Sequence, residues 1–164
     1  MFTKLISIGA LVLAVGVSIG GQTKPHSLQG AWKVVQVTTT GADARTISSP
    51  QPGLYLFTAK HYAVVAVQGD QPRPNIPPGE ADKATAEQLR ATWGPFTANA
   101  GTYELSGETL ITKPMVAKNP GIMQGGSGLT FSVKLEGDSV TVVTKTGPNG
   151  PVQNPTTVKL TRVE

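Results

Sequence analysis

Apolar and polar side chains alternate along most of the chain beyond residue 30, as they do in strands with one face turned to a core. The pattern is cleanest over residues 129–136. There Leu129, Phe131, Val133 and Leu135 share one face, and Thr130, Ser132, Lys134 and Glu136 share the other. Gly137-Asp138 then turns the chain into a second apolar run, Ser139 to Lys145. The same alternation predicts a first strand from Gly30 to Thr39, with Trp32, Val34 and Gln36 on one side and Lys33, Val35 and Val37 on the other. Gly53 to Thr58 and His61 to Gln68 read as a hairpin joined by Ala59-Lys60. Gly101 to Leu105 turns through Ser106-Gly107 into Thr109 to Met115, and Thr157 to Val163 is the last strand.

One segment breaks the two-residue period. Thr85-Ala-Glu-Gln88 fits a capping box, and Leu89 and Trp93 fall one turn apart on a common face. Gly94-Pro95 ends the segment, because proline restricts the residue before it and has no amide hydrogen. About two turns of helix result, too few to stand alone. Their apolar side is expected to lie against the sheet. The preceding stretch, residues 69–80, carries four prolines and two glycines and forms nothing regular.

Eight strands joined mostly to their sequence neighbours predict an all-β fold. The specific expectation is an eight-stranded up-and-down antiparallel barrel with one short helix inserted after the third strand. Closing the sheet removes its exposed edges and leaves room inside for side chains or one small ligand. An open sandwich is the competing architecture.

Composition narrows the chemistry. A length of 164 residues suits one domain. With no cysteine, disulfides, thiolate metal sites and a cysteine nucleophile are excluded. The formal charge of +4 comes from lysines and arginines scattered singly, without the basic stripe and interleaved aromatics of a nucleic-acid interface. Residues 1–21 have the parts of a secretory signal: Lys4, an apolar core from Leu5 to Ile19, and the small residues around Ser18-Ile19-Gly20. Cleavage is expected after Gly20 or Gly21, with an uncleaved anchor as the alternative. Residues 22–29 form an N-terminal arm, and 30–164 the barrel domain. The protein is therefore expected to be secreted or periplasmic, meeting a membrane only through an uncleaved leader.

Catalytic patterns are sparse. His26 falls in the polar arm and His61 at a hairpin turn, neither within a recognisable triad. Gly125-Gly-Ser-Gly128 reads as a flexible loop, and metal-ligand spacing, phosphate loops and dinucleotide fingerprints are absent. No catalytic residue, metal or cofactor is expected.

The chain resembles the bacterial and fungal lipocalin-like domain family. The resemblance runs from Gly30 to Val163, through Gly30-Ala-Trp-Lys-Val, Gly53-Leu-Tyr-Leu-Phe-Thr, the helix from Thr85, Gly101-Thr-Tyr-Glu, Leu135-Glu-Gly-Asp-Ser-Val and Lys159-Leu-Thr-Arg-Val163. It implies a small antiparallel barrel with an interior pocket. It also implies that Trp32 packs at the closed end under an arginine, for which Arg162 is the matching residue, with Gly30 beside them. The chain departs from the well-known secreted lipocalins in its mid-barrel helix and in lacking their Thr-Asp-Tyr motif and disulfides.

Candidate ligand contacts follow from the barrel. Trp93 and Leu89 would line a lid or anchor the helix. Tyr103 would offer a hydroxyl, and Phe131 lies on the apolar face of the best-alternating strand. Met115, with Met123, would supply adaptable surface near the loops. Phe57, Tyr55 and Tyr62 sit on a hairpin whose inward face the sequence leaves open, and Lys113 is a candidate for a carboxylate head group. The expected function is an exported protein holding a small, mainly hydrophobic molecule. The alternatives are a barrel enzyme for isomerisation or cyclisation, with Tyr103, His61 or Lys113 as its polar groups, and an envelope interaction protein with a filled barrel. A cavity of roughly 300 Å³ or more separates the first two from the third. The oligomeric state is left open.

Overall fold

A computed structural model describes residues 27–124 and 128–164. The leader, His26 and Gly125-Gly126-Ser127 lie outside them. The described residues form eleven strands: β1 (Gly30–Thr39), β2 (Arg45–Ile47), β3 (Gly53–Phe57), β4 (His61–Val67), β5 (Phe96–Ser106), β6 (Thr109–Ala117), β7 (Leu129–Glu136), β8 (Ser139–Thr144), β9 (Thr146–Gly147), β10 (Gly150–Pro151) and β11 (Thr156–Arg162). β1, β3 to β8 and β11 form one antiparallel sheet that closes when β11 pairs with β1. The result is an eight-stranded barrel, and the helix α1 (Ala86–Trp93) enters between β4 and β5.

The two ends of the barrel differ because their connections differ. One end carries the tight turns at residues 58–60, 107–108 and 137–138; the other carries the long connections at 40–52, 68–95, 118–128 and 145–155. Toward the tight end, Trp32, Phe57, Tyr62, Leu110, Val133, Val140, Val142 and Leu160 fill the interior with Leu28. A fully buried aliphatic or aromatic side chain stabilises by about 1.5–3 kcal/mol, so this half carries the core.

Two features change the strand pattern read from the alternation. β1 has a bulge between Val34 and Gln36, where its register with β11 shifts: Val34 faces Leu160, and Val37 faces Val158. Val37 consequently joins Val34 inside rather than Val35 outside, since one extra residue reverses the side a strand presents. β2 is a three-residue strand inside what reads as a loop. It continues the sheet beyond β3 by pairing Val37 with Ile47 and Thr39 with Arg45.

The helix also departs from expectation. Its capping box forms as the sequence predicts, with Thr85 and Gln88 each closing on the other's amide. No residue of α1 is buried, however, so it does not cover the sheet. It is tied to the proline-rich connection instead: Arg73 donates to the Thr92 carbonyl (3.2 Å), and the Thr92 hydroxyl donates to the Pro74 carbonyl (3.1 Å). Lys118, reaching from beyond β6, donates to the carbonyls of Trp93, Gly94 (3.1 Å) and Phe96 (2.8 Å). A cation on the free carbonyls at a helix C-terminus satisfies acceptors that have no partner within the helix.

Candidate functional site: the cavity at the loop end

The closed end is held by backbone and charge together. Trp32 is fully buried, and its indole Nε1 donates to the Leu28 carbonyl at 2.8 Å. Above it, the Arg162 guanidinium carbon lies 4.0 Å from the ring centroid. The same guanidinium donates to the carbonyls of Ser27 (2.7 Å) and Gln29 (2.8 Å) and pairs with Asp138 at 3.2 Å. The end is therefore shut by the N-terminal segment strapped across it.

The opposite half is not filled. Above Tyr62 and Val64 lies a cavity of about 400 Å³, open toward the long connections. Val34 and Val37 of β1, Tyr55 of β3, Val64 and Ala66 of β4 and Val158 of β11 give it apolar walls. Thr39, Thr97, Thr144 and Thr156 bring hydroxyls to its upper rim, with Gln51, Gln68 and Arg45 at the mouth. The strands place these groups by alternation. Gly53 pairs with Ala66, Tyr55 with Val64 and Phe57 with Tyr62, so Tyr55 shares the inner face of the hairpin with the core residues Phe57 and Tyr62.

Tyr55 is the aromatic residue of the cavity. The accessible surface it keeps lies inside the barrel, and burial pushes its phenol up to about 12. Deeper still, the Tyr62 hydroxyl is buried without a hydrogen-bond partner, and burial raises its pKa too, with nearby Thr112 opposing the shift. Groups of this kind stay protonated at any ordinary pH and act as hydrogen-bond donors, not as bases.

The residues expected from sequence to contact a ligand lie elsewhere. Phe57 is buried in the core and packs edge-to-face on Tyr103 at 5.3 Å. Tyr103 spends its hydroxyl on the Thr58 carbonyl at 2.7 Å, near the tight turns. Phe131 faces inward but packs on the core cluster below the cavity. Met115 is 70% exposed, because alternation along β6 turns Leu110 and Thr112 inward and Lys113 and Met115 to solvent. Leu89 and Trp93 remain exposed on α1, Trp93 meeting Phe96 edge-on at 6.1 Å. Lys113 is paired with Glu104 at 2.6 Å on the outer surface, and His61 is exposed at the start of β4. The cavity residues that sequence reasoning missed, Val37 and Arg45, depend on the bulge and on β2, which leave no periodic signal; Tyr55, left open between the two faces of its hairpin, is settled inward by its pairing with Val64.

A second depression, of about 380 Å³, lies between Pro74–Pro77 and one face of α1. Its walls are an irregular loop and a two-turn helix, whereas the barrel cavity is framed by hydrogen-bonded strands. Among the described residues no three His, Asp or Glu side chains converge on a metal-sized site, and no helix is long and apolar enough to cross a membrane.

A model of the lipocalin-like domain matches residues 29–161. Two solved structures align with the chain. A lipocalin-like protein from Bacteroides uniformis is 16% identical, over 82% of this chain and 97% of its own, with a TM-score of 0.46. An uncharacterized protein from Bacteroides eggerthii is 10% identical, over 82% of this chain and 99% of its own, with a TM-score of 0.44. No curated protein matches the sequence.

Proposed function

Because the chain belongs to the lipocalin-like domain family, we propose that it is an exported binding protein that holds a small, mainly hydrophobic molecule in the loop end of its barrel. The observation that carries this reading is the 400 Å³ cavity above a filled core. That volume lies within the range of small-molecule sites, and its walls are largely apolar with a few placed polar groups. A barrel filled throughout, as an interaction scaffold would have, does not leave such a space.

Binding is favoured over catalysis by the lining itself. Arg45 and Tyr55 are its ionisable residues, and the phenol is held protonated far above neutral pH. Neither is a general base at pH 7, which isomerisation or cyclisation by proton transfer requires. Export rests on residues 1–21, whose charge and apolar core match a signal peptide.

The test is titration with the neutral fluorophore N-phenylnaphthylamine, whose emission rises in apolar surroundings. Wild-type protein should give a saturable signal at one site per chain. Ala66→Phe, which fills the cavity from its wall, should remove that signal without lowering stability. Unchanged binding in this variant would place the site outside the barrel. Edman sequencing of the protein recovered from outside the cytoplasm should begin near Gln22.

A further inference from the structure

Resting on that reading and deepening it, we propose that the ligand is an amphipath with a single anionic head group, held at the mouth by Arg45 while its apolar body lies against the valines below. The placement of Arg45 comes from register. β2 pairs Ile47 with Val37 and Arg45 with Thr39, and alternate residues of a strand share a face. Ile47 is buried and lines the cavity, so Arg45, two residues earlier, stands on the same side. Thr46 stands on the other, its hydroxyl meeting that of Thr38 at 3.1 Å.

Arg45 is also the one charged residue lining the cavity, and no carboxylate is in that lining. The ion pairs among the described residues are Lys113–Glu104, Lys134–Glu136 and Arg162–Asp138, so Arg45 is not engaged by an acid. Asp43 shares an outer depression with it on the same connection, but does not come within ion-pair distance. The amides at the mouth are partly committed, Gln68 to the Thr97 hydroxyl (3.1 Å) and Gln51 to the Asp70 carbonyl (3.1 Å). The guanidinium thus remains as the strong donor set free to meet a ligand.

Polarity is graded along the barrel axis. Arg45 stands at the rim level with Thr39, its register partner, and Thr156, and Val34, Val37, Val64 and Val158 lie below them. An anionic head would gain a charge-assisted hydrogen bond beside low-dielectric walls while its tail is desolvated. An ammonium head would meet the guanidinium with no acid in the cavity lining to offset the repulsion.

The experiment displaces N-phenylnaphthylamine with decanoate, decanol and decylamine, all below their aggregation limits. It compares wild type with Arg45→Gln, and with Lys159→Gln as an outward-facing control for net charge. The ratio of decanoate to decanol affinity should fall roughly tenfold in Arg45→Gln, the size expected for one charge-assisted contact, and stay unchanged in Lys159→Gln. An equal ratio in Arg45→Gln and wild type, or decylamine binding more tightly than decanoate, would overturn the anionic assignment while leaving a barrel-binding protein. A fluorophore that binds but is displaced by none of the three would also overturn it. Failure of the fluorophore itself to bind would remove both readings.

Discussion

Arg162 covers the indole of Trp32 at 4.0 Å while donating to the main-chain carbonyls of Ser27 and Gln29. One guanidinium thereby joins the last strand, the first strand and the segment that precedes it. Lysine carries the same charge but cannot form the planar fork or stack on the ring. Arg162→Lys should cost about 1–3 kcal/mol, from the charged hydrogen bonds lost. Urea denaturation measures this; a cost below about 0.5 kcal/mol would show that the strap does not hold the barrel end.

Gly30 makes that contact possible. Its φ of +128° is disfavoured for other residues, and an added Cβ would lie 2.6 Å from an Arg162 guanidinium nitrogen and against the Glu164 carbonyl. Gly30→Ala should therefore destabilise by about 1–3 kcal/mol and move the guanidinium off the ring. Thermal melting reads the first effect and near-ultraviolet circular dichroism of Trp32 the second.

The phenol of Tyr55 sets an alkaline limit. Its folded pKa is about 12 against an ordinary 10.0. The unfolded chain therefore releases this proton first as pH rises. Stability is fully present below pH 10 and is lost between about 10 and 12, by on the order of 2–3 kcal/mol for this group. Tyr62 and Tyr103 shift in the same direction. Tyr55→Phe should flatten the decline, measured as the urea midpoint against pH. A slope equal to that of wild type would mean that the phenol is solvated.

Lys118 secures α1 from outside the barrel, through the carbonyls of Trp93, Gly94 and Phe96. Lys118→Met should release the segment locally. Limited proteolysis within residues 69–95 should accelerate several-fold, while the global melting temperature moves by less than about 2 °C. A large fall in melting temperature would show that the helix belongs to the cooperative core after all.

The closed end was largely legible in the sequence, because its signals are local or periodic. The Gly30-Ala-Trp32 start, the alternation of Leu129 to Glu136 and the capping box at Thr85 each correspond to an element of the structure. The loop end was not. Val35 sits in a bulge that reverses which β1 residues face inward, and Arg45-Thr46-Ile47 is too short to show a period. Tyr55 was left open between two faces, because the inner face of its hairpin depends on pairing with distant strands, which a single sequence does not display. The helix is legible in its capping box but its partners are not, since hydrogen bonds to Pro74 and from Lys118 leave no apolar stripe to read.

The pairing of β1 with β11 brings the two ends of the described domain together, where the Ala31 amide donates to the Glu164 carbonyl and Val163 donates back to Ala31 at 2.8 Å. Around the barrel there is then no first strand, only a ring cut at one seam. A short linker across that seam, with new ends opened at the exposed turn of Gly107 or Gly137, would keep every strand neighbour it now has. The order in which the strands are written along the chain is thus separable from the order in which they stand around the cavity.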